Sequence, residues 1–358
     1  MRAKASGMLL LLVFPLVICS CARTGKSATK TDGNTAAATG SSQPESLPRG
    51  TADPDIRVEI YDPDRAYNGT TFFADIHEPG NHRIIEVNML GEVVWEYTIP
   101  REWQRFSHPG FDVERLDNSD VLFMLPHFGV VEVDRGGNVV WTYRDPKVTH
   151  DADRLPNGNT LVVFGGGDTP EDPQVKEVNA QGEIVWSWYA RDHFSGSEYQ
   201  DIYREGWTHA NAAVRLDNGN TLISLRNFNI LVEVNFEGSV VRTIGEGILF
   251  DPHDPEVQDD GNILLADHAK PANWALEIDP DTGKVVWRFG GDRWEKQLVR
   301  DADRLPNGNT LLTGTSAIVE VTGDGEVVWQ LRLMDEELAG PGLHGGDLYK
   351  AQRVGPDD

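Results

Sequence analysis

Cysteine is almost missing: the 358 residues contain two, Cys19 and Cys21, both at the extreme N-terminus. Beyond residue 21 no disulfide, thiolate nucleophile or Cys-ligated metal can be built. Long apolar runs are equally scarce. The one that exists, residues 8 to 18, follows two basic residues and precedes small ones, the layout of an export signal, and it is too short to span a membrane. Positive charge is in the minority, with 32 Lys and Arg against 57 Asp and Glu. Residues 1 to 50 hold six of the basic and two of the acidic residues, leaving 26 basic against 55 acidic in the remainder, a net of about −29. Such a surface repels nucleic acid and anionic headgroups, so neither is expected as a partner.

What is present begins with Ile18-Cys19-Ser20-Cys21, which looks like a bacterial lipobox. Cys19 follows bulky Ile18, whereas Cys21 follows small Ser20, so residues 1 to 20 read as a lipoprotein signal peptide and Cys21 as the acylated first residue. Residues 21 to 50, rich in Ser, Thr, Gly and Ala, cannot bury enough apolar surface to fold and read as a disordered lipidated linker. Residues 51 to 358 form the folded domain. Ala22 gives no sign of inner-membrane retention. The expected location is the cell envelope, with the lipid anchor as sole membrane contact: the periplasmic face of the outer membrane in a diderm host, the cell surface in a monoderm.

A turn glycine followed by an apolar strand recurs six times: GEVVW (91 to 95), GNVVW (137 to 141), GEIVW (182 to 186), GSVVR (238 to 242), GKVVW (283 to 287) and GEVVW (325 to 329). The glycines lie 46, 45, 56, 45 and 42 residues apart, the period of a four-stranded propeller blade. Short alternating segments such as RIIEVN and LVEVN precede each copy and make one hairpin. Segments such as RLPNGNTLVVF (154 to 164) and RLDNGNTLISL (215 to 225) make a second, through Asn-Gly turns. The expected fold is an all-β six-bladed propeller of four-stranded antiparallel blades. The first copy lacks an innermost strand and the C-terminus has a spare one, GDLYKAQRV (346 to 354), which is expected to complete the first blade and close the ring. The repeated Trp residues read as packing between blades. The long 56-residue interval marks an insertion at 188 to 206, expected to overhang one mouth of the channel.

Just before the innermost strands stand His108, His150, His209 and His253, with Arg300 in the sixth copy and His344 before the closing strand. His150, His253 and Arg300 lie eight residues ahead of their turn glycines and His209 ten, which keeps its facing because strands alternate with period two. Counting outward from the turns sets Asn211 opposite Arg226, so that Arg226 returns to the level of His209, and sets His253 opposite His268, with Asp267 adjacent. Imidazoles and a guanidinium converging in an acidic protein make a cationic pocket suited to a phosphate or sulfate ester. Duplication of an ancestral blade would copy a structural His as readily as a functional one. The DNGN, DPDTGK and DRGGN segments follow no EF-hand spacing and read as turns, so no metal is assigned.

At Trp207-Thr208-His209-Ala210-Asn211, with Arg226 seventeen residues after the histidine in LISLRNFNILVEV, the chain resembles the bacterial arylsulfate sulfotransferases, envelope enzymes built on a six-bladed propeller. The similarity covers about residues 55 to 355, without the N-terminal β-sandwich of the best-known members. The resemblance implies ping-pong transfer of a sulfuryl group from a small phenolic sulfate donor to a phenol acceptor, with no cofactor. It implies His253, in PHDPE, as the nucleophile that becomes a sulfohistidine. Arg226 and His209 would hold the sulfuryl oxygens, and His150 or His209 would move the proton. Asn211, His108, Arg300 and His268 would contact substrate.

Three other readings compete. The first is a non-catalytic propeller lipoprotein whose rim binds protein or glycan. The second is a quinoprotein, since DPDTGKVVW (279 to 287) resembles the tryptophan repeats of quinone-dependent dehydrogenases; six blades without cysteines argue against their eight-bladed, disulfide-bearing architecture. The third is a metal held by three neutral imidazoles.

Overall fold

Alternating apolar segments of four to seven residues, separated by turns that only a few residue types can make, leave the chain little choice but hairpins. At the Asn218-Gly219 turn, Gly219 takes φ +85°, a left-handed conformation that costs a glycine nothing. The computed structural model describes residues 49–108, 111–269, 273–294, 297–334 and 348–356. The signal peptide, most of the linker, Cys21 and His344 lie outside the described residues. Among the described residues no helix is long and apolar enough to cross a membrane.

The strands form six antiparallel sheets, each a blade with the NGN-type hairpin innermost and the VVW strand outermost. In every blade the second strand touches the innermost strand of the next, which arranges the six sheets as a ring. The core is correspondingly divided into six wedges. Leu222 packs towards blade 5 with Ile263 and Leu276, while its neighbour Ile223 packs towards blade 3 with Leu161 and Val175. Both faces of a second strand are therefore buried, which is why TLISL (221 to 225) reads as a continuous apolar run.

The tryptophans staple blade to blade. The indole N–H of Trp95, Trp141, Trp186, Trp287 and Trp329 each donates to a carbonyl in the outer turn of the following blade: Arg135, Ala180, Phe236, Gly323 and Met89. An arginine from the next blade lies over each ring, 4.5 Å away for Arg353 on Trp329 and 4.9 Å for Arg154 on Trp141. In blade 4 the equivalent residue is Arg242, which instead reaches Asp281 of blade 5 through an exposed ion pair of 3.2 Å.

Closure follows the expected scheme: Ala351–Val354 pairs with Thr70–Asp75 as the innermost strand of blade 1. A second closure was not legible in the repeat. Ile56–Tyr61 pairs with the outermost strand of blade 6, Val327–Leu333, making that sheet five-stranded. The ring is thus locked by both ends of the domain.

Two expected registers differ. Ala210 faces Leu225 and Ala212 faces Ser224, so a bulge falls at Asn211; Arg226 stands level with His209 as expected, but Asn211 is not its partner. A second irregularity, between His253 and Glu256, places Ala266 rather than His268 opposite His253. Backbone bulges have no side-chain signature that counting can detect.

Candidate active site

The six innermost strands begin with related five-residue segments: FDVER (111 to 115), HDADR (150 to 154), NAAVR (211 to 215), HDPEV (253 to 257), RDADR (300 to 304) and YKAQR (349 to 353). All six fourth residues line one cavity on the ring axis: Glu114, Asp153, Val214, Glu256, Asp303 and Gln352. Strand alternation then explains the rest. Second and fourth residues face the channel, third residues enter the wedges between blades, and the first residue stands at the channel mouth.

Those first residues make the site. His150, His253, Arg300 and Tyr349 stand there, and the rings of His150 and Tyr349 lie 6.1 Å apart. The Asn211 bulge brings His209 to the same level, with its ring 4.6 Å from that of His150 and the two Nε2 atoms 3.1 Å apart. The His268 ring lies 4.1 Å from His253, so the two meet although they are not register partners. Asp267 does not join them: its carboxylate accepts the backbone N–H groups of Phe250 and Ala269. Asn211 is 1% exposed and donates through its amide N–H to the carbonyl of Pro252, next to His253, while its Oδ1 is buried without a partner. His108 is exposed and faces His127 at 5.9 Å, on the blade 2 side of the mouth.

The backbone is strained where these side chains leave it. His150 and His209 have φ of +75° and +48°, and Asp251 and Asp254, flanking His253, have +49° and +46°. Non-glycine residues adopt this region at some cost and are concentrated at functional sites. At His209 the strain is held by Asp168, which accepts hydrogen bonds from the Thr208 and His209 backbone and the Thr208 hydroxyl.

Hydrogen-bond partners assign the ring tautomers. Nδ1 of His253 faces the Asp251 carbonyl at 2.8 Å; a carbonyl can only accept, so Nδ1 carries the proton and Nε2 keeps its lone pair. His209 Nδ1–H donates to the Glu205 carbonyl at 2.9 Å by the same logic. Its Nε2 is then an acceptor, and His150 must present Nε2–H to it, leaving the buried Nδ1 of His150 without a partner. His268 donates Nε2–H to the Val299 carbonyl.

Every one of these imidazoles is neutral at neutral pH. Burial, followed by the neighbouring His268 and the Arg300 and Arg226 charges, pushes His253 well below its ordinary value. Burial and Arg226 take His209 to about 4, and burial with Arg300 takes His268 to about 3. His150 is lowered by burial and by His209 and Arg226. Positive charge in the site therefore resides on arginines. Arg226 is held by Glu205 at 3.3 Å, but its buried Nε has no acceptor.

Glu205 and Arg204 come from the insertion after blade 3, and Arg204 pairs with Asp251. The insertion is seated by an aromatic cluster of Phe194, Tyr199 and Trp207 around Phe228 of blade 4. It forms one wall of the mouth. Sequence reasoning missed Tyr349, Glu205 and Arg204; the five-residue segments, once aligned, reveal Tyr349 as the counterpart of His150, while nothing in the sequence marks the other two.

Six blades around a mouth of neutral imidazoles and arginines define a propeller with a polar site for an anionic group. The arylsulfotransferase (ASST) family profile matches residues 59–251, more than half of the chain, and the chain belongs to that family. The match takes in His150, His209, Asn211 and Arg226 and stops two residues short of His253. No curated protein is significantly similar. Among solved structures, a protein of unknown function from Bacteroides caccae is 19% identical with a TM-score of 0.57, covering 79% of this chain and 98% of that one. A catalytically inactive virginiamycin B lyase from Staphylococcus aureus is 10% identical with a TM-score of 0.48, covering 79% and 89%. At such identity the likeness to the first concerns the fold alone.

Proposed function

We propose that the protein transfers a sulfuryl group between phenols, through a covalent intermediate on His253. The observation that carries this reading is the state of that ring: neutral, tethered by Nδ1–H to Asp251, with the Nε2 lone pair making no hydrogen bond to the described residues, in a pocket whose charges are Arg226 and Arg300. The Nε2 lone pair attacks sulfur, the bond from sulfur to the phenolic oxygen breaks, and its electron pair leaves with the phenolate. The product, N-sulfoimidazolium, is neutral overall, since the ring gains a positive charge as it takes on SO₃⁻. The Asp251 carbonyl faces the Nδ1–H that becomes acidic in this step. Arg226, with its unmet Nε–H, supplies a donor for the sulfuryl oxygens, by analogy with phosphoryl transfer. The phenolate leaves as the anion, stabilised by the Arg226 and Arg300 charges, and a neutral imidazole of the His150 and His209 pair takes the proton of the acceptor phenol as it attacks and then releases it to solvent. The acceptor oxygen then attacks sulfur and the electron pair returns to Nε2.

Incubation with an aryl sulfate and no acceptor tests the proposal directly. Intact-mass analysis at neutral to alkaline pH should show a gain of about 80 Da, the mass of SO₃, as expected for a covalent intermediate. No adduct and no phenol release would instead favour the binding-propeller reading.

Two further results are expected. Arg226→Lys keeps the charge but loses the planar fork, and should lower the rate of adduct formation by about 10²-fold with the fold intact by circular dichroism. The pH profile of adduct formation should lack the usual inflection near 6.5. A depressed pKa means the proton binds only below it, so the reactive neutral rings persist from about pH 8 down to 5.5, with an acid limb towards 4 where His209 protonates. An inflection between pH 6 and 7 would contradict the assigned ring states.

The lipid anchor belongs to the same proposal. The lipobox supports attachment at the cell envelope through Cys21, and metabolic palmitate labelling should be lost in Cys21→Ala.

A further inference from the structure

Below the histidine layer, the channel turns from cationic to acidic. Second-position residues contribute Asp112, Asp151, Asp254 and Asp301, and fourth-position residues contribute Glu114, Asp153, Glu256 and Asp303. Against these eight carboxylates stands one ammonium, Lys350, whose Nζ lies 2.6 Å from Asp151, 3.0 Å from Asp254 and 3.5 Å from Asp112. One ammonium cannot neutralise eight carboxylates in a channel walled by protein, so the remaining charge must be met by protons or by a further cation.

We propose that this part of the channel binds a divalent hard cation, calcium in the first instance, with Asp112, Asp151 and Asp153 as protein ligands. Oxygens of these three carboxylates all lie within 4.8 Å of one another. Two calcium ligands on opposite sides of the ion, at about 2.4 Å each, are separated by about that distance, whereas magnesium demands a tighter shell. The donor set is oxygen only, with no His or Cys in either layer, which selects against transition metals. The adjoining cavity of about 200 Å³ accommodates the waters needed to complete six to eight ligands.

A separate observation points to a missing ligand in the same cavity. Asp301 is 3% exposed; its Oδ2 accepts the Ala351 N–H, while its buried Oδ1 receives no donor and the side chain meets the Asp254 carboxylate, a pairing that needs a proton or a cation between the two. A buried carboxylate oxygen left without a donor is costly, and a cation or its bound water meets that need.

The test is calcium titration of the full chain after chelator treatment, by isothermal calorimetry at neutral pH, with melting temperature followed in calcium and in EDTA. It does not depend on any activity. The expected result is one calcium per chain with a submillimolar Kd and a melting temperature several degrees higher in saturating calcium. Asp153→Asn, which keeps the side-chain shape, should weaken binding at least tenfold, while Asp324→Asn, on an outer turn, should leave it unchanged. No binding by the wild-type chain would overturn the proposal and mean that the carboxylates are held by protons. Binding that survives Asp153→Asn and Asp151→Asn would also overturn it, by locating the ion elsewhere. Should either variant fail to fold, the wild-type titration still decides.

Discussion

Replacing His253 with alanine will abolish the sulfuryl adduct and lower transfer by at least about 10³-fold, the scale expected when a covalent nucleophile is removed. The size of the effect follows from the ring's setting. Its neutral state, its Nε2 lone pair and its Nδ1–H tether to Asp251 together define a nucleophile. His209 spends its Nε2 lone pair on His150, whose own Nδ1 lone pair is buried; His268, tethered through Nε2–H to Val299, keeps its Nδ1 lone pair and is the ring on which the adduct would be found if His253 were not the nucleophile. His150→Ala should therefore retain the adduct while slowing its discharge to the acceptor phenol. His253 is buried against His268, so the variant should lose about 1–2 kcal/mol of stability and remain folded at ambient temperature. Persistence of the adduct in His253→Ala, mapped by peptide sequencing to another ring, would sink the assignment.

The largest stability effect is expected at the ring closure. Arg353, on the closing strand, and Glu320, in blade 6, form an ion pair of 3.3 Å with both side chains fully buried. Glu320 also accepts hydrogen bonds from the Tyr67 backbone at 2.6 Å and the Asn309 amide at 2.7 Å, while Arg353 donates to Thr71 and the Tyr67 carbonyl. Glu320→Gln removes the charge that offsets a buried guanidinium and turns an amide N–H towards groups that already donate. About 3–5 kcal/mol should be lost, or on the order of 10 °C in melting temperature. The double variant Glu320→Gln with Arg353→Met should recover part of that loss, because no uncompensated charge remains. A single-variant shift below about 2 °C would show that water reaches the pair.

The propeller was legible because its turns are chemically distinctive and its strands recur: Asn-Gly and Asp-Gly at the inner turns, Gly before VVW at the outer. The closing strand was legible for the same reason, as a missing piece at one end and a spare at the other. The added strand 56 to 61 was not, because IRVEIY pairs outside the repeat and leaves no vacancy that counting would notice. In the site, the histidines stood out by residue type and offset, and His150, His209, His253, Arg226, Arg300 and His268 do converge. Asn211, whose offset is that of His150, sits at a bulge that buries it and gives its place at the mouth to His209, which its residue type alone does not reveal. The acidic channel escaped notice for a different reason. In D-A-D-R a carboxylate at alternate positions looks like the solvated face of an edge strand, and only the circular arrangement turns that face inward.

The absence of tryptophan at position 242 bears on how the circle behaves as a mechanical object. Five of its six joints are fastened at the outer edge by a partly or wholly buried indole; the outer edge of the sixth, between blades 4 and 5, has instead an exposed ion pair of the kind that contributes little in water. His209 and Arg226 stand on one side of that joint, and His253 and His268 on the other. The seam without the outer indole thus runs through the mouth itself, so a ligand gripped from both sides adds a rivet at its other end.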